Sequence, residues 1–440
     1  METYLEDASG LKGKADEVFA PSTEEELLAI LSEARGAGTP ITVGGAKTGV
    51  TGGAVPQGGW AISMEKFLRL EISAGRAIAG AGVSLEALQA AASRTGQFYA
   101  PDPTERTASV GGTIATNASG SRSFRYGSTR KHVLGLRVAL IDGRVLHVRR
   151  GDAVDFPVPQ IPLPATTKNT AGYALSPGMD WVDLFVGSEG TLGITIEAEL
   201  QLLPKPDDVL AGVIFFDGDE AALNAVDAWR SLEGLRMIEY FDCNSLAILR
   251  QRFAEIPVGV GAALLVEQEN GDIDFWADNA PEDSWFAASD SDRERFRKFR
   301  HTLPELVNDT VRRRGFMKLN SDFAVPLAAN REMLERYHAR LQAHTLDYVI
   351  FGHIGDAHVH INVLPKSEDE YARGQKLMLE FARQAVALGG TISAEHGLGK
   401  RKAHLLEIQY TPEQIEAMKA VKRRLDPGWL LNRGNLFPAL

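Results

Sequence analysis

Residues 44 to 54 read Gly44-Gly45-Ala46-Lys47-Thr48-Gly49-Val50-Thr51-Gly52-Gly53-Ala54, and glycine at that density marks a loop rather than a helix or a packed strand. Successive backbone N–H groups in such a loop can converge on an anion, such as a nucleotide pyrophosphate. The preceding sequence sets the loop in place. Pro21-Ser22-Thr23-Glu24 is a helix start, with Ser22 or Thr23 as the cap and acidic residues in the first turn. Leu27, Leu28, Ile30 and Leu31 form the apolar side of a helix that ends near Gly36, and Pro40-Ile41-Thr42-Val43 is a short strand running into the loop. No GK[ST] follows and the glycine spacing is not that of a Rossmann fingerprint, so neither nucleotide motif applies. On its own the loop reads equally as an anion cradle or as a glycine turn without a ligand.

It has company downstream. Strand-like residues 77–83 precede a helix from Ser84, with Leu85, Leu88 and Ala92 on one face. Pro101-Asp102-Pro103 then leads to residues 109–120, a second glycine and small-polar stretch able to offer backbone and hydroxyl donors to the same ligand. Residues 133–140 form a strand that closes at an Asp142-Gly143 turn, with residues 144–148 as its hairpin partner. Residues 184–194 are a third Gly/Ser/Thr loop between apolar runs. After Pro206 the texture changes: residues 209–216 and 259–267 read as strands, and residues 220–232 and 241–253 as helices. Residues 269–295 are acid-rich and broken by Gly271 and Pro281, so an irregular surface excursion is expected there. This order suits an antiparallel sheet covered by helices on one face, the expected substrate cap. Phe296-Arg297-Lys298-Phe299-Arg300 starts a further helix, and residues 318–322 are extended. From these, Arg300 can clamp a carboxylate and Lys318 can add a second cation, though single basic residues are commonly just solvated.

The chain of 440 residues has room for two or three domains, and its 44 % hydrophobic and 24 % charged content is that of an ordinary globular protein. A formal charge of −11 argues against a nucleic-acid partner or an anionic membrane surface. The runs Arg312-Arg313-Arg314 and Lys422-Arg423-Arg424 read as solvated helix faces. One cysteine, Cys243, excludes a disulfide framework, a Cys-based zinc site and an iron–sulfur cluster held by this chain alone. The first twenty residues lack the apolar core of a signal peptide and no apolar run approaches a membrane span, so a soluble cytoplasmic protein, not an integral membrane protein, is expected.

Three of the ten histidines fall in Phe351-Gly352-His353-Ile354-Gly355-Asp356-Ala357-His358-Val359-His360. His358 and His360 share a strand face, and a Gly355-Asp356 turn can fold His353 back towards them. With Glu395 of Glu395-His396-Gly397, the group is a candidate ligand set for Zn2+ or another divalent ion; a strand of paired or solvated histidines is the alternative.

Residues 44–56, residues 109–120, Lys168-Asn169-Thr170-Ala171-Gly172-Tyr173 and residues 184–204 occur in the order seen in FAD-linked oxidases of the vanillyl-alcohol oxidase type, whose FAD domain is called PCMH-type. The resemblance spans about 200 residues in four blocks, which are specific together where each alone is weak. It implies an α+β fold: two α+β subdomains cradling an extended FAD over residues 1–205, a cap domain at 206–405, and a segment at 406–440 that returns to the FAD domain. The implied FAD contacts are Val43, Gly44, Gly45, Ala46, Lys47, Thr48, Gly49, Thr51, Gly52 and Gly53 on the first loop, with Pro101 and Asp102. Ser109, Gly111, Gly112, Ala115, Thr116, Asn117 and Gly120 follow on the second, Glu189, Gly190, Gly193 and Ile194 on the third, and Asn432 on the returning segment. Some relatives attach FAD through a histidine near the first loop; here Ala46-Lys47 stands there and no histidine precedes His132, so non-covalent FAD is expected.

The second half resembles the FAD-dependent D-2-hydroxyacid dehydrogenases, a group with D-lactate dehydrogenases, D-2-hydroxyglutarate dehydrogenases and the glycolate oxidase large subunit. Gly352-His353-Ile354-Gly355-Asp356, Val359-His360-Ile361-Asn362 and Ala394-Glu395-His396-Gly397-Leu398-Gly399 carry the likeness. It implies that His353, His360 and Glu395 hold a divalent metal (Zn2+, with Mn2+ or Fe2+ as alternatives), that His396 takes the substrate hydroxyl proton, and that Arg300 and Lys318 bind the substrate carboxylate. Where Gly-Asn is usual, this chain has Ala357-His358, which makes His358 an expected substrate contact. The implied reaction is oxidation of a D-2-hydroxy acid to the 2-oxo acid, with hydride passing to flavin N5. Electrons then leave to an electron-transfer flavoprotein, a quinone or a partner subunit; a homodimer is allowed for. The competing readings are a flavoprotein oxidase of alcohols or sugars that uses oxygen, a redox-neutral flavin synthase of the same fold, and a non-catalytic flavin subunit.

Overall fold

The structure is a computed structural model and describes residues 2–438. The helix before the first glycine loop spans Glu24–Ala37: the Thr23 hydroxyl accepts from the Glu26 N–H, and Gly38 ends the helix in the left-handed region. Its Leu27 and Leu31 bury against Ile41 and Ile62. Strand Ile41–Gly44 belongs to a small parallel sheet ordered Glu17–Phe19, Trp60–Ser63, Ile41–Gly44. Beside it lies a five-stranded antiparallel sheet, ordered Leu70–Ser73, Arg76–Gly80, Ile194–Gln201, Val133–Ala139, Val145–Arg149. Ala139, Ile194 and Ile196 of this sheet join the core of the first, so the two pack as one body around the glycine loops. The chain returns at its end: the Ile41 N–H donates to the Leu430 carbonyl (2.8 Å), and the Asn432 N–H donates to the Ile41 carbonyl (2.8 Å).

The second half forms a seven-stranded antiparallel sheet, ordered Trp285–Phe286, Val209–Phe216, Ala262–Glu269, Leu235–Asp242, Tyr348–His353, His358–Val363, Leu319–Asn320. Helices cover both faces of it, not one. Along Val209–Phe216, Ala211, Val213 and Phe215 pack with helices Cys243–Leu249 and Asp290–Arg313, while Ile214 and Phe216 join the opposite core, where helix Asp219–Trp229 packs on this strand and helix Glu368–Ala387 on Leu319–Asn320. A strand covered on both faces loses its polar–apolar alternation. Leu235–Asp242, buried at all eight positions, accordingly stands where the sequence suggested the approach to a helix.

Residues 269–295 are also more ordered than expected. They carry helix Ile273–Asn279, and its Trp276 is fully buried, with the indole N–H donating to Gln268 at 2.7 Å. Helix Asp290–Arg313 begins at a Ser289 cap, so Phe296 to Arg300 lie inside it rather than at its start. Pro304, within the same helix, has no N–H to give the Arg300 carbonyl one turn earlier.

Candidate active site

A cleft of about 340 Å³ runs along the glycine loops and ends at Glu395 and His396. The first loop lines it except at Gly44 and Gly52, joined by Ser109, Gly111, Gly112, Ala115 and Thr116 of the second stretch, Glu189, Gly190, Gly193 and Ile194 of the third, and Asn432. Ser109 shows why small residues are needed. Its hydroxyl accepts from the Gly112 N–H as the cap of helix Val110–Ala115 and from the Ala46 N–H of the first loop, both at 3.3 Å. A Cβ on Gly45 would run into that hydroxyl. Asn432 ties loop to loop, accepting from the Val43 N–H at 2.8 Å and donating to the Glu189 carbonyl at 2.7 Å.

Six expected contacts fall outside the lining. Gly44 packs against the Lys47 stem and Gly52 against Leu11. Pro101 is buried; Asp102 is turned to Arg122, with their charged groups 2.7 Å apart. Asn117 accepts from the Arg130 N–H, and Gly120 lies where any Cβ would meet the Asp102 carbonyl. These residues shape the wall behind the cleft. Asp7 and Asn435, which the sequence reading passed over, line it.

At the cleft's inner end the sheet supplies the histidines. Strands Tyr348–His353 and His358–Val363 pair antiparallel, with His353 opposite His358 and Phe351 opposite His360. The short turn Ile354–Asp356 between them closes through Ala357 in the left-handed region. His358 and His360 share a face, ring centroids 4.5 Å apart, and His353 lies 5.3 and 5.6 Å from them. One ligand atom from each of His353, His358, His360 and Glu395 falls within 4.8 Å of the others. His358, expected as a substrate contact, is fully buried within this candidate ligand group, with Nε2 3.2 Å from the Asp322 carboxylate.

The outward atoms of the other three are occupied, which is what a metal-binding group requires. His353 Nδ1 donates to Glu239 at 2.5 Å, leaving Nε2 turned to Glu395 Oε2 at 3.2 Å. His360 Nδ1 donates to the Ser321 carbonyl at 3.1 Å. Glu395 Oε1 accepts from Lys168 (2.7 Å) and Ser119 (2.8 Å), freeing Oε2 for the centre. Lys168 is itself buried and also pairs with Asp356 at 3.0 Å. Burial, with His358, His396 and His353 nearby, holds His360 well below the usual imidazole range; burial opposes the charge on Glu395, but His353 and Lys168 outweigh it and keep it ionised. Burial works against charge on His353, but Glu239 and Glu395 outweigh it and hold that ring above the usual imidazole range. Three imidazoles converging on a buried carboxylate are a donor set that fits a divalent transition metal.

Asp322, fully buried, fixes the loop that follows. It accepts from the Ser393 hydroxyl (2.8 Å) and from the backbone N–H groups of His396 (2.9 Å) and Glu395 (3.3 Å). The His396 ring lies over His360, centroids 5.4 Å apart and planes within 18°, with Nδ1 3.4 Å from Asp322. Burial, against the pull of Asp322, brings its pKa down to about 4, so at neutral pH it is a free base facing the cleft. Arg300 reaches the same centre from the cap: Nε donates to Glu239 at 2.8 Å and a terminal nitrogen to the Thr104 hydroxyl at 3.1 Å. Lys318 has no ion pair among the described residues, and burial with neighbouring Lys402 pushes its pKa down to about 8. The site residues missed from the sequence are Glu239, Asp322, Lys168 and Lys402. Only two had any signal: Lys168 heads the KNTAGY block, and Lys402 lies in the basic run after the Glu395 motif.

A glycine-lined cleft that ends on a histidine–carboxylate centre defines a cofactor-dependent enzyme. The chain belongs to the FAD-linked oxidases: their C-terminal domain family matches residues 205–436, more than half of the chain, and an FAD-binding domain family matches residues 15–149. It is accordingly a flavoprotein oxidoreductase. A D-lactate dehydrogenase of Archaeoglobus fulgidus is 33 % identical over 96 % of this chain and 91 % of its own length. A D-2-hydroxyglutarate dehydrogenase of Xanthomonas citri pv. viticola is 31 % identical (96 % and 89 %), and the glycolate oxidase subunit GlcD of Bacillus subtilis 29 % (96 % and 89 %). A solved structure of alkyldihydroxyacetonephosphate synthase superposes with a TM-score of 0.64 at 15 % identity, covering 94 % of this chain and 75 % of its own; that likeness is one of fold. Among the described residues no helix is long and apolar enough to cross a membrane.

Proposed function

We propose that this protein oxidises a D-2-hydroxy acid, of the D-lactate or D-2-hydroxyglutarate kind, to the 2-oxo acid, using non-covalent FAD and a divalent metal, with Zn2+ the first candidate. The observation that carries the reading is the meeting of His353, His358, His360 and Glu395 at the end of the cleft, with His396 neutral beside them. When bound, FAD supplies the two-electron acceptor and the metal a Lewis acid that acidifies the substrate hydroxyl. His396 accepts the hydroxyl proton, and Asp322 keeps its backbone in place to do so. Arg300, which lines a neighbouring pocket with Thr104 and Arg297, and Lys318 supply the cationic side towards which the substrate carboxylate turns, orienting the α-carbon for hydride transfer. With one cysteine, the chain passes electrons to an external acceptor: an electron-transfer flavoprotein, a quinone or a partner subunit. Anaerobic mixing with D- and L-2-hydroxy acids, with and without a chelator, tests this. Chelator-sensitive bleaching of the flavin band by a D-acid is expected; a metal-replete, FAD-loaded protein bleached by none of them would be a synthase or an inert subunit instead.

A further inference from the structure

Glu239 lies in the middle of the doubly covered strand Leu235–Asp242, with only 2 % of its side chain exposed. A carboxylate at such a position must have both oxygens engaged, because an unpaired buried charge is strongly destabilising. Here the two engagements point to different jobs. Oε1 takes the His353 Nδ1 proton at 2.5 Å, and Oε2 takes the Arg300 Nε proton at 2.8 Å. Arg300 has one other partner among the described residues, the neutral Thr104 hydroxyl. One carboxylate therefore stands between a candidate metal ligand and a candidate anion clamp.

We infer that Glu239 couples the two sites, so that a divalent ion on His353 and a carboxylate on Arg300 each tighten the other; this rests on the function proposed above. The direction follows from competition for one negative charge. Compared with the neutral ring, His353 with its Nε2 engaged by an ion offers a stronger Nδ1–H donor and draws Glu239 charge towards the imidazole. Arg300 is then less neutralised and attracts an anion more strongly. Conversely, an anion on Arg300 satisfies the guanidinium and leaves Glu239 a better acceptor for His353, which raises the basicity of the ligand nitrogen. Thermodynamic linkage makes the two factors equal. Glu239 touches neither ion in this arrangement and is a positioning residue.

The test is Zn2+ affinity, measured by competition with a chromophoric chelator on the FAD-loaded full chain, with and without saturating propionate. Propionate has the carboxylate but no hydroxyl with which to chelate, and its occupancy is followed by perturbation of the flavin spectrum. In the wild type, propionate is expected to tighten Zn2+ roughly five- to thirtyfold. Glu239→Gln, which keeps the volume but removes the charge, is expected to weaken Zn2+ roughly ten- to hundredfold and to abolish the propionate effect. Flavin content and melting temperature, read on the same samples, separate this from general loosening, which would lower both and leave the propionate effect in place. Glu239→Gln protein with wild-type Zn2+ affinity, or with the propionate effect intact, overturns the inference while leaving the proposed function standing. Should the variant lose FAD, the wild-type arm still decides: no tightening by bound propionate, or no binding of propionate, rejects the coupling. A wild type that takes up no divalent ion rejects the proposed function and the coupling with it.

Discussion

The glycine-lined cleft and the histidine pocket meet at Glu395 and His396, yet they are built on opposite principles. The cleft is a surface of backbone: Gly45, Gly111 and Gly112 are needed for what they lack, and the few side chains that matter, Ser109 and Asn432, hold loop to loop. The pocket is a cluster of buried charge. Glu395, Glu239, Asp322 and Asp356 are compensated by Lys168, Arg300 and the histidines, drawn from segments far apart in the chain. A cleft of the first kind fails when volume is added; a pocket of the second kind fails when a partner is removed. The difference predicts separable damage.

The largest effect is expected from Lys168→Met, which fills the same space without the charge. It leaves Glu395 Oε1 and Asp356 Oδ2 facing each other across a site with almost no water access, at a cost of about 3–5 kcal/mol in stability. Denaturant unfolding measures it, and added Zn2+ should recover part of the loss, because a cation at the pocket compensates Glu395 but not Asp356. Unchanged stability would mean that the pocket is not organised by charge compensation.

Gly45→Ala tests the other side. The new methyl meets the Ser109 hydroxyl that caps helix Val110–Ala115, and moving that hydroxyl costs about 1–3 kcal/mol. The loss should appear as FAD affinity weaker by roughly five- to hundredfold, with Zn2+ affinity unaltered. If both affinities fall together, the two regions are one cooperative unit rather than two differently built ones.

The same contrast explains what could be read from the chain beforehand. Backbone-built features leave local signatures, so the glycine loops, the Asp142-Gly143 hairpin and the turn between His353 and His358 are legible as short runs. The clustered histidines are legible too, because two neighbouring strands carry them. Compensating charges are not: Glu239 is 114 positions from His353, and Lys168 is 227 from Glu395, so nothing near either residue marks it. Strand Leu235–Asp242 escaped because helices bury both of its faces and erase the alternation that identifies a strand. His358 was expected to meet substrate because it stands where the resembling family usually has Asn. Its burial behind His360 depends on how the strand sits in the sheet, which sequence spacing does not encode.

Glu189 belongs to both regions and gives the smallest effect. Its backbone lines the cleft, while its carboxylate accepts from the N–H groups of Leu398 (2.7 Å) and Gly399 (2.8 Å) in the loop that carries Glu395 and His396. Burial raises its pKa to about 7 from an ordinary 4.5, and those two donors and Lys400 only partly offset it. A carboxyl whose folded pKa lies above its unfolded value contributes stability that is complete below about pH 4.5 and disappears as pH rises through about 7, because the unfolded chain releases the proton first. Between about pH 5 and pH 6.5 the wild type should therefore lose about 1–2 kcal/mol relative to Glu189→Gln, at roughly 1.4 kcal/mol per pH unit. Chemical denaturation of the FAD-loaded proteins at the two pH values reads this difference directly. Parallel pH dependence in the two proteins would show that Glu189 stays ionised in the fold, with the Leu398 and Gly399 donors strong enough to anchor the His396 loop as a charged clamp rather than a protonated one.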